Sequence, residues 1–232
     1  MDLDKFSVVS TIIEYNQLNN TIIKKYKKNV DIPITTVELK NLIDKYLLSL
    51  KDIGIPIPNV IKSYIENQFV VYEIDYCGQN IIELGFDILK FDDFKNHIIK
   101  MLTLLKKVIN SNIYFDPHPK NFVFNDKNEI FYVDFFPPYT DSLKKLRLSV
   151  ANKDEVEIIK KNYSFLTGEF LAEHFCGDFL NIDKNSESIF DKIYILEKAM
   201  GISLRNQKTF IEKANYIRSI EDLRLAKNIY LL

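Results

Sequence analysis

The chain has 232 residues, a net charge of −1, and 47% hydrophobic and 13% aromatic residues. That composition excludes a disordered chain, and the near-neutral charge gives no global electrostatic reason to expect nucleic acid or an anionic membrane as partner. Met1–Ser7 is acidic and polar rather than basic then apolar, and no stretch approaches the roughly 20 apolar residues that span a bilayer. Two cysteines, Cys77 and Cys176, make neither a disulfide framework nor a zinc pattern, and His97, His118 and His174 lie far apart in sequence. These features predict a cytoplasmic chain with no integral membrane segment.

In chain order, Phe6–Tyr15 and Thr21–Tyr26 are rich in β-branched residues and read as a hairpin, with Asn16, Asn19 and Asn20 in its turn. Alternation puts Ile22, Lys24 and Tyr26 on one face of the second strand. Thr35 or Thr36 can cap a helix whose apolar face is Leu39, Leu42, Ile43, Tyr46, Leu47 and Leu50, and which stops near Gly54-Ile55-Pro56. Strands follow at Val60–Ile65 and Phe69–Asp75, joined by Glu66-Asn67-Gln68, and Tyr76-Cys77-Gly78 reads as a linker. A helix over Phe91–Asn110 presents Phe94, Ile98, Met101, Leu102, Leu105 and Val108 on one face. Two short strands, Asn121–Phe124 and Glu129–Val133, flank the turn Asn125–Asn128. The remainder is predicted helical at Asp154–Lys161, Phe165–Phe175, Ser188–Ala199 and Gln207–Ala226, the last with a break. The outline is α+β: residues 1–76 as a sheet with one helix, then residues 77–232 as a mainly helical lobe.

The segment Tyr114–Pro138 carries the chemistry. Asp116 and Asn121 sit in a loop entering one short strand, and Asp134 sits at the exit of the next, so a hairpin brings them together. A carboxylate and an amide oxygen, Asp134 and Asn121, suit magnesium, which takes hard oxygen ligands. A second carboxylate, Asp116, can orient an acceptor hydroxyl and take its proton. Each alone has a plainer reading as a turn or strand-end residue.

Asn121 follows Asp116 by five positions and Asp134 follows Asn121 by thirteen. At both spacings the chain resembles the protein-kinase-like superfamily, and Asp116-Pro117-His118-Pro119-Lys120-Asn121 looks most like two of its subgroups. One is the aminoglycoside and choline phosphotransferases, with a D-x-H-P-x-N loop. The other is the atypical kinase-like family of ubiquinone biosynthesis, whose loop reads DPHPGN, with Lys120 here replacing glycine. Asp134-Phe135-Phe136 departs at its third position from the D-F-G of protein kinases and from the acidic third position of small-molecule kinases. Gly54-Ile55-Pro56-Ile57-Pro58 resembles the G-[VIL]-P-x-P turn of the small-molecule enzymes.

The resemblance implies a bilobal kinase-like fold using ATP and magnesium on a small-molecule hydroxyl or amine. Asp116 would be catalytic, and Asn121 and Asp134 the metal ligands. Lys24 would hold the nucleotide phosphates, with Glu38, or failing that Asp44, as its acidic partner. Glu73, Ile74 and Asp75 would form the hinge whose backbone holds adenine. A solvated edge is the plain alternative for the lysine-rich run around Lys24, and a helix-start acid for Glu38. Glu169, Glu173 and Asp178 could favour a cationic acceptor or simply form a solvated helix face. His118 is expected to bond a backbone carbonyl, and His174 to sit at the edge of the core. No glycine-rich loop occurs in the first 20 residues, where Ser7, Ser10 and Thr11 are the small polar candidates, and no A-P-E motif follows Asp134. A pseudokinase that binds nucleotide without transfer, and a compact protein kinase, are therefore the competing expectations.

Overall fold

A computed structural model describes residues 11–27, 32–168, 170–179, 188–203, 205–227 and 229. Strands β1 (Thr11–Asn16) and β2 (Thr21–Lys27) form the predicted hairpin, with Asn20 at φ +52° in its turn. The part of the first strand predicted before Thr11, with Ser7 and Ser10, lies outside the described residues. Helix α1 (Thr36–Asp52) starts from a capping box on Thr35, buries Leu39, Ile43, Tyr46, Leu47 and Leu50, and ends at Gly54, whose φ of +73° suits glycine. Strands β3 (Val60–Glu66) and β4 (Phe69–Asp75) complete an antiparallel sheet of order β1-β2-β4-β3. β2 is therefore an inner strand, and Lys24 stands opposite Tyr72 of β4.

The chain then forms β5 (Gln79–Asn80), which the sequence reading did not anticipate, and helix α2 (Phe91–Ile109), which buries all six predicted apolar residues. β5 pairs with β6 (Phe122–Phe124), and β6 with β7 (Ile130–Tyr132), making a second small sheet. Gly78 permits this junction, because a Cβ there would lie 1.9 Å from the Phe124 carbonyl oxygen and its φ is +108°.

Five helices follow: α3 (Asp141–Val150), α4 (Lys153–Phe165), α5 (Phe170–Asp178), α6 (Ser188–Ala199) and α7 (Gln207–Ala226). α3 was not predicted, although Thr140 caps it by accepting from the Leu143 N–H. The predicted helix 165–175 is divided, because α4 runs through Phe165 and the chain turns at Gly168 with φ +59°. α7 runs unbroken. One hydrophobic cluster runs from Ile22 and Tyr26 through α1 and α2 to Phe175, Phe190 and Phe210, so the sheet and the helices share a core. Among the described residues no helix is long and apolar enough to cross a membrane.

Candidate active site

The loop before β6 is shaped by its own side chains. Asp116 Oδ1 accepts from the His118 N–H at 3.0 Å, a turn of the kind Asp favours. His118 Nδ1 then accepts from the Lys120 N–H at 3.2 Å, where Pro119 opens a single helical turn. His118 thus shapes the loop, but through an N–H rather than the expected carbonyl. The β6–β7 hairpin turns at Asn128, with φ +58°, while Asn125 Oδ1 accepts from the Lys127 and Glu129 N–H groups. At its open end the Val133 N–H donates to the Asn121 carbonyl at 2.9 Å, which delivers Asp134 beside Asn121.

The result brings the Asn121 side chain to the Asp134 carboxylate and to the Asp116 backbone. Asn121 Nδ2 lies 3.4 Å from Asp134 Oδ2 and 3.5 Å from the Asp116 carbonyl oxygen. Phe135 and Phe136 anchor the outgoing chain on the sheet. Phe136 stacks on Tyr26 at 4.5 Å, and Phe135 meets Tyr26 and Tyr72 edge-on. Two contacts tie the early chain to this loop: the Tyr46 hydroxyl donates to the Tyr114 carbonyl at 2.9 Å, and the Tyr132 N–H to the Pro56 carbonyl at 2.8 Å.

Lys24 reaches the same place from β2. It is buried, donates to the Val133 carbonyl at 2.5 Å and lies over the Phe135 ring. Its neighbour Lys25 turns the other way and pairs with Glu14 at 3.1 Å. Burial lowers the Lys24 pKa to about 8, and Asp134 opposes that shift. Asp134 moves the opposite way, to about 7, through burial and then the nearby Asp116; Lys24, Lys120 and the Phe136 N–H resist. Burial also works against the Asp116 carboxylate, but His118, His174, the His118 N–H and Lys120 outweigh it and hold its pKa below the ordinary value. The His118 ring is pushed down to about 3 by burial and Lys120. Near neutral pH its aid to Asp116 is therefore the backbone N–H and not ring charge.

Two predicted assignments are corrected. Glu38 does not face Lys24. It is the third residue of α1, and its carboxylate accepts from the Thr35 N–H and hydroxyl, both at 2.8 Å, closing the capping box. Asp44 faces the sheet but accepts from the Tyr72 hydroxyl at 2.6 Å and Lys40 at 2.7 Å. The acid acting on Lys24 is Asp134. Nor are Glu73, Ile74 and Asp75 an open hinge, because Glu73 and Ile74 pair with β2 on one side and β3 on the other, and Asp75 pairs with β2. The Asp75 N–H donates to Asn59 and the Tyr76 N–H to Asn20, each at 3.1 Å, so the adenine-facing role does not fit there. A concavity of about 640 Å³ beside this segment is lined by Ile57, Pro58, Asp75, Cys77 and Phe131 among others, apart from the Asp116–Asp134 cluster.

The sequence reading missed what stands behind Asp116. His174 and Asp178, on α5, are buried, and one ligand atom from each lies within 4.8 Å of the others and of an Asp116 oxygen. His174 is thus not a core-edge residue, and Asp178 and Glu173 are not on a solvated face; Glu173 is buried and pairs with Arg205 at 2.6 Å. Glu169 lies outside the described residues. The available signal was the i,i+4 spacing of His174 and Asp178 within an otherwise apolar run.

The donor chemistry at Asn121 and Asp134 fits a hard cation: one amide that can present its oxygen by rotation, and one carboxylate whose pKa is raised by burial and then by the neighbouring Asp116. No protein family matches the chain, and no curated protein matches its sequence.

Proposed function

We propose that this chain is an ATP- and magnesium-dependent phosphotransferase acting on a hydroxyl or amine of a small molecule, with a bilobal kinase-like fold. One observation carries the reading. Lys24, from an inner strand, donates to the carbonyl of the residue preceding Asp134, where Asn121 links Asp134 to Asp116. Phosphoryl transfer requires such a grouping of cation, hard metal ligands and base. Asn121 and Asp134 would hold magnesium, whose chemistry when bound would be to neutralise phosphate charge. Lys24, with a pKa near 8, is mostly cationic at neutral pH and adds a fixed positive charge for phosphate oxygens. Asp116, held by the His118 N–H and kept ionised, orients the acceptor group and takes its proton.

The test is magnesium-dependent ATP turnover and nucleotide binding in wild type, Asp116→Asn and Asp134→Asn. Asp116→Asn should keep nucleotide binding and lose roughly 10²- to 10⁴-fold in turnover, the range for a positioned general base. Asp134→Asn should lose both. Wild-type turnover in Asp116→Asn would remove the transfer reading. A second reading, a nucleotide-binding module without transfer, is favoured by one feature: the first glycine of the chain is Gly54, so no glycine-rich loop precedes it. Tight nucleotide binding without turnover in wild type would select it.

A further inference from the structure

The segment that leaves Asp134 is pinned at both ends. Phe136 stacks on Tyr26, and Thr140 accepts from the Leu143 N–H to start α3. Tyr139 lies between these fixed points. Its ring meets Tyr163 edge-on at 6.2 Å, in a cluster with Ile159 and Ile229. The residue is 8% exposed, yet its hydroxyl has no hydrogen-bond partner among the described residues, and unlike the Tyr163 hydroxyl it is not sealed from solvent. A tyrosine that buries its ring ordinarily gives its hydroxyl a partner. Tyr46, Tyr114 and Tyr132 follow that rule, donating to the Tyr114 carbonyl, to Asp141 and to the Asp116 carbonyl. The Tyr139 hydroxyl also stands in the field of the candidate site. After burial, Asp116 and then Asp134 do most to raise its pKa well above the ordinary value, so it stays a neutral O–H at neutral pH. No hydrogen bond joins it to Asp116, which leaves the two free to take separate groups of one ligand.

We propose that Tyr139 binds the acceptor through a second hydroxyl that does not react, so that the acceptor is a polyol with neighbouring hydroxyls and not an amine. This rests on the phosphotransferase reading and narrows its substrate class. An ionised carboxylate only accepts hydrogen bonds, whereas a phenolic O–H both donates and accepts. A diol satisfies both groups. Its reacting hydroxyl gives its proton to Asp116 as its oxygen bonds the γ-phosphorus and the bond to the departing ADP oxygen breaks; its other hydroxyl accepts from Tyr139. An ammonium group has donors only, so at Tyr139 it leaves the phenolic hydrogen unused. Nor does charge on this side draw a cation. The α7 groups that act on Tyr139, Arg224 and Glu221, pair with each other at 2.9 Å. Glu173 and Asp178, the acids that would attract a cationic acceptor, are buried, with Glu173 on Arg205 and Asp178 against His174.

The full chain, wild type and Tyr139→Phe, is supplied with magnesium and ATP and with one of three matched probe acceptors: 1,2-propanediol, 1-propanol or 1-amino-2-propanol. Tyr139→Phe keeps the packed ring and removes only the hydroxyl. Wild type should phosphorylate the diol with a kcat/KM roughly fivefold above that for 1-propanol, the yield of one net hydrogen bond, expressed mainly in KM. The diol should also exceed the amino alcohol. Tyr139→Phe should erase the advantage of the diol while leaving 1-propanol turnover and nucleotide binding as in wild type; a purely structural tyrosine would change all acceptors alike. An equal preference in wild type, an advantage of the diol that survives in Tyr139→Phe, or preference for the amino alcohol overturns the proposal. ATP turnover in wild type with transfer to none of the three overturns it too, and leaves the transfer reading standing. Absence of both nucleotide binding and turnover in wild type removes that reading and this proposal with it.

Discussion

In the four-stranded sheet the buried charge is a cation, Lys24, whereas among the C-terminal helices it is mainly acidic: Glu173, Asp178 and Glu197. Lys24 is met by the Val133 carbonyl and by Asp134, partners that keep an ammonium charged in a dry place. The acids are handled in three ways. Glu173 pairs with Arg205, Asp178 lies against His174, and among the described residues neither carboxylate oxygen of the fully buried Glu197 has a hydrogen-bond partner. Burial, with Glu173 adding to it, raises the Glu197 pKa well above the ordinary value, which favours its neutral carboxylic acid form. The contrast separates buried charge that is paired from buried charge that burial suppresses.

Substitutions can break or sharpen that contrast. The largest stability effect is expected at the paired acid. Arg205→Ala removes the guanidinium from buried Glu173 and should cost about 3 kcal/mol, read by denaturant unfolding. A loss below about 1 kcal/mol, the scale of an exposed pair, would show that the helical half does not depend on pairing its acids.

Glu197 should show itself through pH. Its folded pKa lies above its unfolded one, so its contribution is fully present below the unfolded value of about 4.5 and is lost as pH rises through the folded value. Asp134 and Asp178, both raised to about 7, act with the same sign between about pH 4 and 7. Stability of the metal-free protein should therefore fall as pH rises from 5 to 8. Glu197→Gln should make that fall shallower, by up to about 1.4 kcal/mol per pH unit where this group titrates. An unchanged slope in the variant would mean that Glu197 is ionised and has found a partner.

Lys24→Met should have the smallest effect on stability, within about 1 kcal/mol, because an apolar side chain of similar volume replaces a buried ion. On the phosphotransferase reading the same change weakens magnesium-nucleotide binding, since Asp134 loses its neighbouring cation and its pKa rises further. A variant destabilised as much as Arg205→Ala would place Lys24 among structural pairs rather than functional ones. On the same reading, magnesium binding should weaken as pH falls through about 7, where Asp134 takes up a proton, and calorimetry at pH 6 and 8 measures it.

Most elements were legible because their signals are local. The period of α1, the capping at Thr35 and the asparagines at positive φ in three turns act within a few residues, and the structure places them where the pattern predicts. The approach of Asn121 to Asp134 and to the Asp116 backbone was legible for the same reason: only a five-residue loop and a short hairpin separate these residues. β5 and α3 were less visible. β5 is only two residues long and exists because Gly78 lets the chain approach Phe124, and α3 has a weak apolar face, burying Leu143 and Arg147.

The amino-acid order by itself determined the α+β character, the inward face of β2 that selects Lys24 over Lys25, and the approach of Asn121 to Asp134. Only the tertiary structure decided which acid acts on Lys24, whether Glu73–Asp75 have free backbone groups, and that α5 turns a histidine and an aspartate toward Asp116. The reason is range. Strand alternation, helical period and hairpin closure are set by backbone geometry over a few residues, whereas these three outcomes depend on how elements as many as 109 residues apart pack against one another.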